Sequence, residues 1–101
     1  MASGTIKNQT VAGIEFESFS FPLPTVAVSG GNYYEWTGIN IHKDGYEPIG
    51  FIRVTSNKSN VVLCGFTLNR TSETIVLFVK NISQSAITVD QASVHIIYRK
   101  L

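Results

Sequence analysis

Charge is what this sequence has least of. Only 15% of its 101 residues are charged, against about 25% in a typical soluble domain. Less of the surface is therefore given over to repelling other copies of the chain, and self-association becomes an expectation. The net charge is +1, and the basic residues are scattered, with only Arg99 and Lys100 adjacent. Neutralising a nucleic-acid backbone takes several cations on one face, so no nucleic-acid partner is expected. Cys64 is the single cysteine, which excludes an intramolecular disulfide and leaves the redox compartment unread. It sits in the apolar run Val61-Val62-Leu63-Cys64-Gly65-Phe66, where a buried, inert thiol is expected. No stretch approaches the ~20 apolar residues that cross a bilayer as a helix, and MASGTIKNQT has no apolar core of a signal peptide. Neither membrane insertion nor a cleaved signal is expected.

Catalytic signatures are equally scarce. His42 and His95 are isolated, and no second ligand pair stands at zinc or calcium spacing around His42-Lys43-Asp44. Nucleophile-elbow, phosphate-loop and zinc-protease motifs do not occur. Glu15 and Glu17 share a strand side but have no aromatic platform in sequence reach, so glycosidase chemistry is not expected. The reading is no enzyme, no metal and no cofactor. Four Asn-x-Ser/Thr triplets begin at Asn8, Asn57, Asn69 and Asn81. Asn, Ser and Thr side chains bond their own backbone and so start turns, and that role is preferred here to glycosylation.

Helical periodicity is missing as well. What recurs is short runs of Val, Ile, Phe, Tyr and Thr, separated by Gly, Asn, Ser and Pro clusters. This is the pattern of an antiparallel, jelly-roll-like β-sandwich. About seven strands are expected, near 11–21, 25–29, 33–41, 47–55, 60–69, 74–81 and 86–99. A single domain spans 1–101, with 1–10 as a flexible or partner-contacting arm.

Side chains alternate along a strand, so apolar positions should fall two apart. Tyr34, Trp36, Ile39 and Ile41 break that spacing once, at Gly38, where a residue free to adopt positive φ suits a β-bulge. The bulge sends Tyr34 and Trp36 inward and leaves Tyr33 and Glu35 outside. Ile14, Phe16, Phe19 and Phe21 show the same slip, and a bulge between Phe16 and Phe19 would put all four on one face. Several strands are apolar on both faces. Val62, Cys64, Phe66 and Leu68 oppose Val61 and Leu63, and Val94, Ile96 and Tyr98 oppose Ile97. A lone sandwich needs one apolar face per sheet, so Val61, Leu63 and Ile97 are the candidate oligomer interface.

From Trp36 onward the motifs follow a familiar order. Gly45-Tyr46-Glu47-Pro48-Ile49-Gly50 leads to a valine-rich strand, then Val79-Lys80-Asn81-Ile82-Ser83, then Ile96-Ile97-Tyr98-Arg99-Lys100. Over residues 33–101 the chain resembles the C-terminal head domains of tail-fibre and tail-tip proteins from phages and prophages of Gram-positive bacteria. The resemblance implies a non-enzymatic β-sandwich knob, homotrimeric, located in the virion or made in the bacterial cytoplasm before assembly. It implies other tail or baseplate proteins as partners and bacterial cell-surface polysaccharide as a ligand. It carries over no binding motif. Whether the chain is an excised fibre head or a separate small virion protein stays open. Candidate sugar contacts come from the residues: Tyr33, Glu35, His42, Asp44, Tyr46, Asn57 and Asn60, which pair aromatic stacking with polar side chains near turns. Two other readings stand beside this one, a monomeric carbohydrate-binding module with an exposed aromatic platform, and a ligand-free capsid or baseplate decoration.

Overall fold

The computed structural model describes residues 9–11 and 13–101, with side chains from Gly13 onward. The described residues are all-β, with nine strands and no helix. The strands are β1 (Gln9–Val11), β2 (Ile14–Pro22), β3 (Val26–Val28), β4 (Tyr33–Asn40), β5 (Tyr46–Ser56), β6 (Val61–Asn69), β7 (Thr74–Asn81), β8 (Ile87–Val89) and β9 (Ala92–Lys100). A four-stranded sheet in the order β1-β2-β9-β5 faces a three-stranded sheet in the order β4-β7-β6, and β3 pairs with β8. Every pairing is antiparallel. Seven expected strands become nine because turns at Gly13 and at Asp90-Gln91 each divide what reads as one run. The expected arm over 1–10 lies outside the described residues, except that Gln9 and Thr10 belong to β1.

The core lies between the two larger sheets. Trp36, Ile75, Leu77 and Val79 come from one side, and Val94, Ile96 and Tyr98 from the other. Leu23, Val28, Ile41 and Val89 close the ends. Tyr98 is the largest side chain wholly enclosed. Its ring meets the edges of Phe19 and Tyr46 at centroid distances of 5.3 and 6.4 Å. Its hydroxyl donates to the backbone carbonyl of Ile41, so a buried O–H in an aromatic cluster still finds an acceptor. Burial pushes the Tyr98 hydroxyl pKa well above that of a free tyrosine.

The bulge expected at Gly38 is present. Pairing between β4 and β7 slips between Trp36 and Ile39, and Gly38 has φ of +63°. Trp36 is 2% exposed, against 69% for Tyr33. Enclosing a tryptophan removes ~200 Å² from water, about 5 kcal/mol at ~25 cal/mol per Å². That exceeds the roughly 0.5–1.5 kcal/mol an aromatic contact adds beyond burial. The inward position wins, and the indole N–H donates to the Pro24 carbonyl at 3.0 Å.

Three other face assignments are corrected. No bulge separates Phe16 from Phe19. β2 runs in unbroken register along β9, with Phe19 opposite Ile96 and Phe21 opposite Val94. Phe19 and Phe21 therefore join the core, while Ile14 and Phe16 lie on the other face. Period two holds because Ser18 and Ser20 occupy the outer side at no apolar cost. In β6 a slip between Leu63 and Gly65 places Cys64 at a bulge. Val61, Leu63, Phe66 and Leu68 then share the inward face, opposite Asn81, Val79, Leu77 and Ile75. Cys64 is exposed, not buried. The inward face has only Leu63 and Phe66 to offer there, and the extra residue between them is turned out.

Replacing Tyr98 with Phe keeps the ring packing but leaves the Ile41 carbonyl enclosed without its donor. Y98F should lower unfolding stability by about 1–2 kcal/mol in chemical denaturation, with an unchanged far-UV spectrum.

Candidate functional site

The sequence candidates for ligand contact divide between the two ends of the sandwich. β4 runs from Tyr33 at one end to Asn40 at the other, roughly 25 Å at ~3.3 Å per residue. Asn57 and Asn60 lie at the Tyr33 end, whereas His42, Asp44 and Tyr46 lie at the Asn40 end. Glu35 sits between, on the outer face of β4 opposite Phe78, where its carboxylate accepts a 2.8 Å bond from the Thr37 hydroxyl.

At the first end a groove of about 410 Å³ lies between the β5–β6 turn and β8. It is lined by Asn57, Lys58, Ser59, Asn60, Ala86, Ile87, Thr88 and Asp90. Sequence reasoning found the Asn57–Asn60 wall but not the Thr88–Asp90 wall, which was hidden inside an apparent single strand. The turn is held by its own polar groups. The Lys58 amide donates to the Ser56 hydroxyl at 3.0 Å, the Val61 amide to the Lys58 carbonyl at 3.2 Å, and the Asn57 amide to the Gln91 carbonyl at 3.3 Å.

The opposite wall is anchored by Asn81, which is fully enclosed. Its side-chain amide donates to the carbonyls of Val28 and Ser85 at 2.9 and 2.8 Å. Its side-chain oxygen accepts from the Ser83 amide at 2.9 Å and the Ser83 hydroxyl at 2.7 Å. This network folds the 82–86 turn that leads into the groove. A Cβ at Gly30 would overlap the backbone of Gln84, so only glycine lets the 29–32 turn pack against it. Of the Asn-x-Ser/Thr triplets, Asn81 is thus a buried structural amide, and Asn69 caps its turn by accepting from the Thr71 and Ser72 amides at 3.0 Å. Asn8 lies outside the described residues.

At the far end His42 bridges two carboxylates. Its Nδ1 lies 2.7 Å from Glu73 Oε1 and its Nε2 2.8 Å from Asp44 Oδ1. Two carboxylates on two ring nitrogens suit the imidazolium, which donates from both. The Glu73 bond first, and the Asp44 bond second, raise the His42 pKa above its ordinary value. Glu73 stands at φ of +55° in the β6–β7 turn, and its carbonyl accepts from the Ile41 amide at 3.0 Å. The pairing crosses 31 residues, and nothing local in the sequence signals it. Nearby, Arg99 donates to Glu47 at 2.7 and 3.1 Å, which holds that carboxyl below its usual range. No group of side chains suited to holding a metal ion occurs among the described residues.

The three aromatic candidates for ligand contact do not meet on one exposed platform. Trp36 is inside, Tyr46 packs edge-on against Phe19 at 5.0 Å, and Tyr33 stands at the other end under Lys80 Nζ at 5.0 Å. The three interface candidates also separate. Val61 and Leu63 point into the inter-sheet space and line a cleft of about 60 Å³ with Trp36, Val54 and Val79. Ile97 lies on the outer face of the other sheet, half-buried against Gly50.

Compared with known family models, curated proteins and solved structures, the chain matches none. No helix among the described residues is long and apolar enough to cross a membrane.

Two measurements check this geometry. In an NMR titration His42 should titrate above 6.5 and His95 below it, because burial and then Arg53 disfavour the charged form of His95. The His42 contribution to stability is complete below the unfolded value near 6.5 and is lost as pH rises through the higher folded value. The His95 contribution runs the other way and weakens as pH falls below 6.5. Asn81→Ala strands two carbonyls and a turn amide, and should cost about 2–4 kcal/mol in denaturant unfolding.

Proposed function

We propose that the chain is a non-catalytic head domain of the phage tail-fibre or tail-tip type, receptor-binding or structural in the virion, with the Asn57–Asp90 groove as its contact for bacterial cell-surface polysaccharide. The groove is the observation that carries this reading. Its walls hold two carboxamides, two hydroxyls, a carboxylate and an ammonium. Carboxamides donate and accept at once, as sugar hydroxyls do, and a carboxylate accepts from two hydroxyls together. Ala86 and Ile87 supply apolar surface for a pyranose C–H face. Because the turn and β8 are tied by short-range hydrogen bonds, little ordering remains to be done on binding.

The monomeric carbohydrate-binding module is disfavoured by the positions of its three aromatic candidates, which share no surface. The ligand-free decoration reading is favoured by one feature, the lack of any aromatic side chain in the groove wall. Hydrogen bonding then acts without stacking, and millimolar affinity, about 4 kcal/mol, is the expected scale for a single site. Multiple copies on one virion raise avidity without a new contact.

Saturation-transfer NMR with purified Gram-positive wall polysaccharide tests the reading. The wild type should show transfer, and the double variant Asn60→Ala with Asp90→Ala should weaken it at least about tenfold while Trp36 fluorescence stays unchanged. No transfer to the wild type at millimolar saccharide would leave the decoration role in place of the receptor-binding one.

A further inference from the structure

Where two paired strands part, the space between them is lined by whatever follows their last hydrogen bond. β5 and β9 pair as far as Ser56 opposite Ala92, and the Asn57 amide adds one further bond, to the Gln91 carbonyl at 3.3 Å. Beyond that tie the chains separate around the groove. Lys58 follows Asn57 on one wall, Asp90 precedes Gln91 on the other, and both line the groove. One cation and one anion thus stand one residue past the tie, on opposite walls.

Elsewhere in residues 13–101 every charged side chain has a partner. Salt bridges engage those at the His42 end. Hydroxyls donate to Glu17 and Glu35, aromatic rings lie under Lys43 and Lys80, and Arg53 is engaged as well. Among the described residues only Lys58 and Asp90 have none, and they form no salt bridge with each other. The two unpaired charges, of opposite sign, open onto the same space.

We propose that the groove selects a saccharide carrying two opposite charges, an ammonium received by Asp90 and an anionic group received by Lys58. This rests on the groove being the polysaccharide contact, and it names the chemistry selected there. A neutral sugar displaces water from both charges and returns no countercharge to either. A ligand of one sign satisfies one of them and meets the other as a like charge. With one cation and one anion, the groove has no net charge with which to gather a polyanion or a polycation. A ligand with both signs relieves both groups at once, through charge-assisted bonds roughly twice as strong as neutral ones. The carboxamides of Asn57 and Asn60 and the hydroxyls of Ser59 and Thr88 remain for its uncharged hydroxyls.

Backbone amide shifts of residues 57–60 and 86–90 report occupancy of the groove. At pH about 6 a sugar amine is charged and a phosphate monoester keeps at least one charge. Glucosamine 6-phosphate and muramic acid carry both signs, with a phosphate and a carboxylate respectively. At least one of them should bind at least about tenfold tighter than glucose, glucosamine or glucose 6-phosphate, and the tighter of the two identifies the anion. Lys58→Gln should remove the advantage over glucosamine, and Asp90→Asn the advantage over glucose 6-phosphate, with Trp36 fluorescence unchanged. The advantage should also shrink in about 1 M salt, where screening acts within ~3 Å. Equal binding of glucose and the doubly charged probes overturns the charge pairing and leaves the groove a saccharide site. A singly charged probe that matches them, or an advantage that survives both variants, overturns it too. No shift with any probe, while wall polysaccharide still shows saturation transfer, overturns this inference alone; loss of both signals removes the groove reading with it.

Discussion

Asn81 is the one polar side chain wholly enclosed among the described residues, and the groove end of the molecule is organised by it. An unsatisfied carboxamide in that position would cost several kcal/mol. Satisfied by four bonds, it instead ties two separate pieces of chain together. Its amide nitrogen donates to carbonyls at the end of β3 and in the 82–86 turn, and its oxygen accepts from both the amide and the hydroxyl of Ser83. The backbone follows suit, with the Gly31 amide donating to the Asn81 carbonyl and the Asn81 amide to the Asn32 carbonyl. The wall formed by Ala86–Thr88 stands where it does because the turn preceding it has no alternative set of partners.

The two ends of the sandwich are thus held by different forces. Neutral hydrogen bonds hold the groove end, and they are indifferent to pH and weakly sensitive to salt. Charge holds the other end, through His42 between Asp44 and Glu73, and Glu47 between Arg99 and Arg70. These ion pairs are exposed, where each contributes little to stability, but together they set the geometry of the 40–46 turn above the Tyr98 hydroxyl. The aromatic cluster of Phe19, Phe21, Tyr46 and Tyr98 lies below that turn, so the end that looks polar from outside rests on the most apolar part of the core.

Local pattern was readable where a bulge had a glycine to mark it. Tyr34, Trp36, Ile39 and Ile41 announced the slip at Gly38, and the sheet is built that way. The Cys64 bulge carries no such mark, because an unbroken apolar run looks the same with either face inward, and only the register with β7 puts Val61 and Leu63 on the inner side. In β2 the spacing of Ile14, Phe16, Phe19 and Phe21 imitated a bulge. The chain resolves it by leaving Ile14 and Phe16 on the outer face, since the cost of two partly exposed apolar side chains is smaller than that of breaking a nine-residue ladder with β9. Asn57 and Asn60 were legible from turn chemistry as polar residues at an exposed turn, which lines the groove. Asp90 was not, because its turn interrupts a run whose apolar period continues on either side.

The sequence by itself determined the class of fold and the turns. Period-two apolar runs punctuated by Gly, Asn, Ser and Pro admit antiparallel strands and little else, and the residues that start turns do so through bonds to their own backbone. Tertiary structure decided which residues become neighbours. Glu73 reaches His42 across 31 positions, Asp90 closes a groove begun at Asn57, and β7 lies between β4 and β6 although β6 precedes it in sequence. Local propensity acts over a few residues, whereas strand order is set by how the whole apolar surface is buried. The chemistry of the groove belongs to that second level.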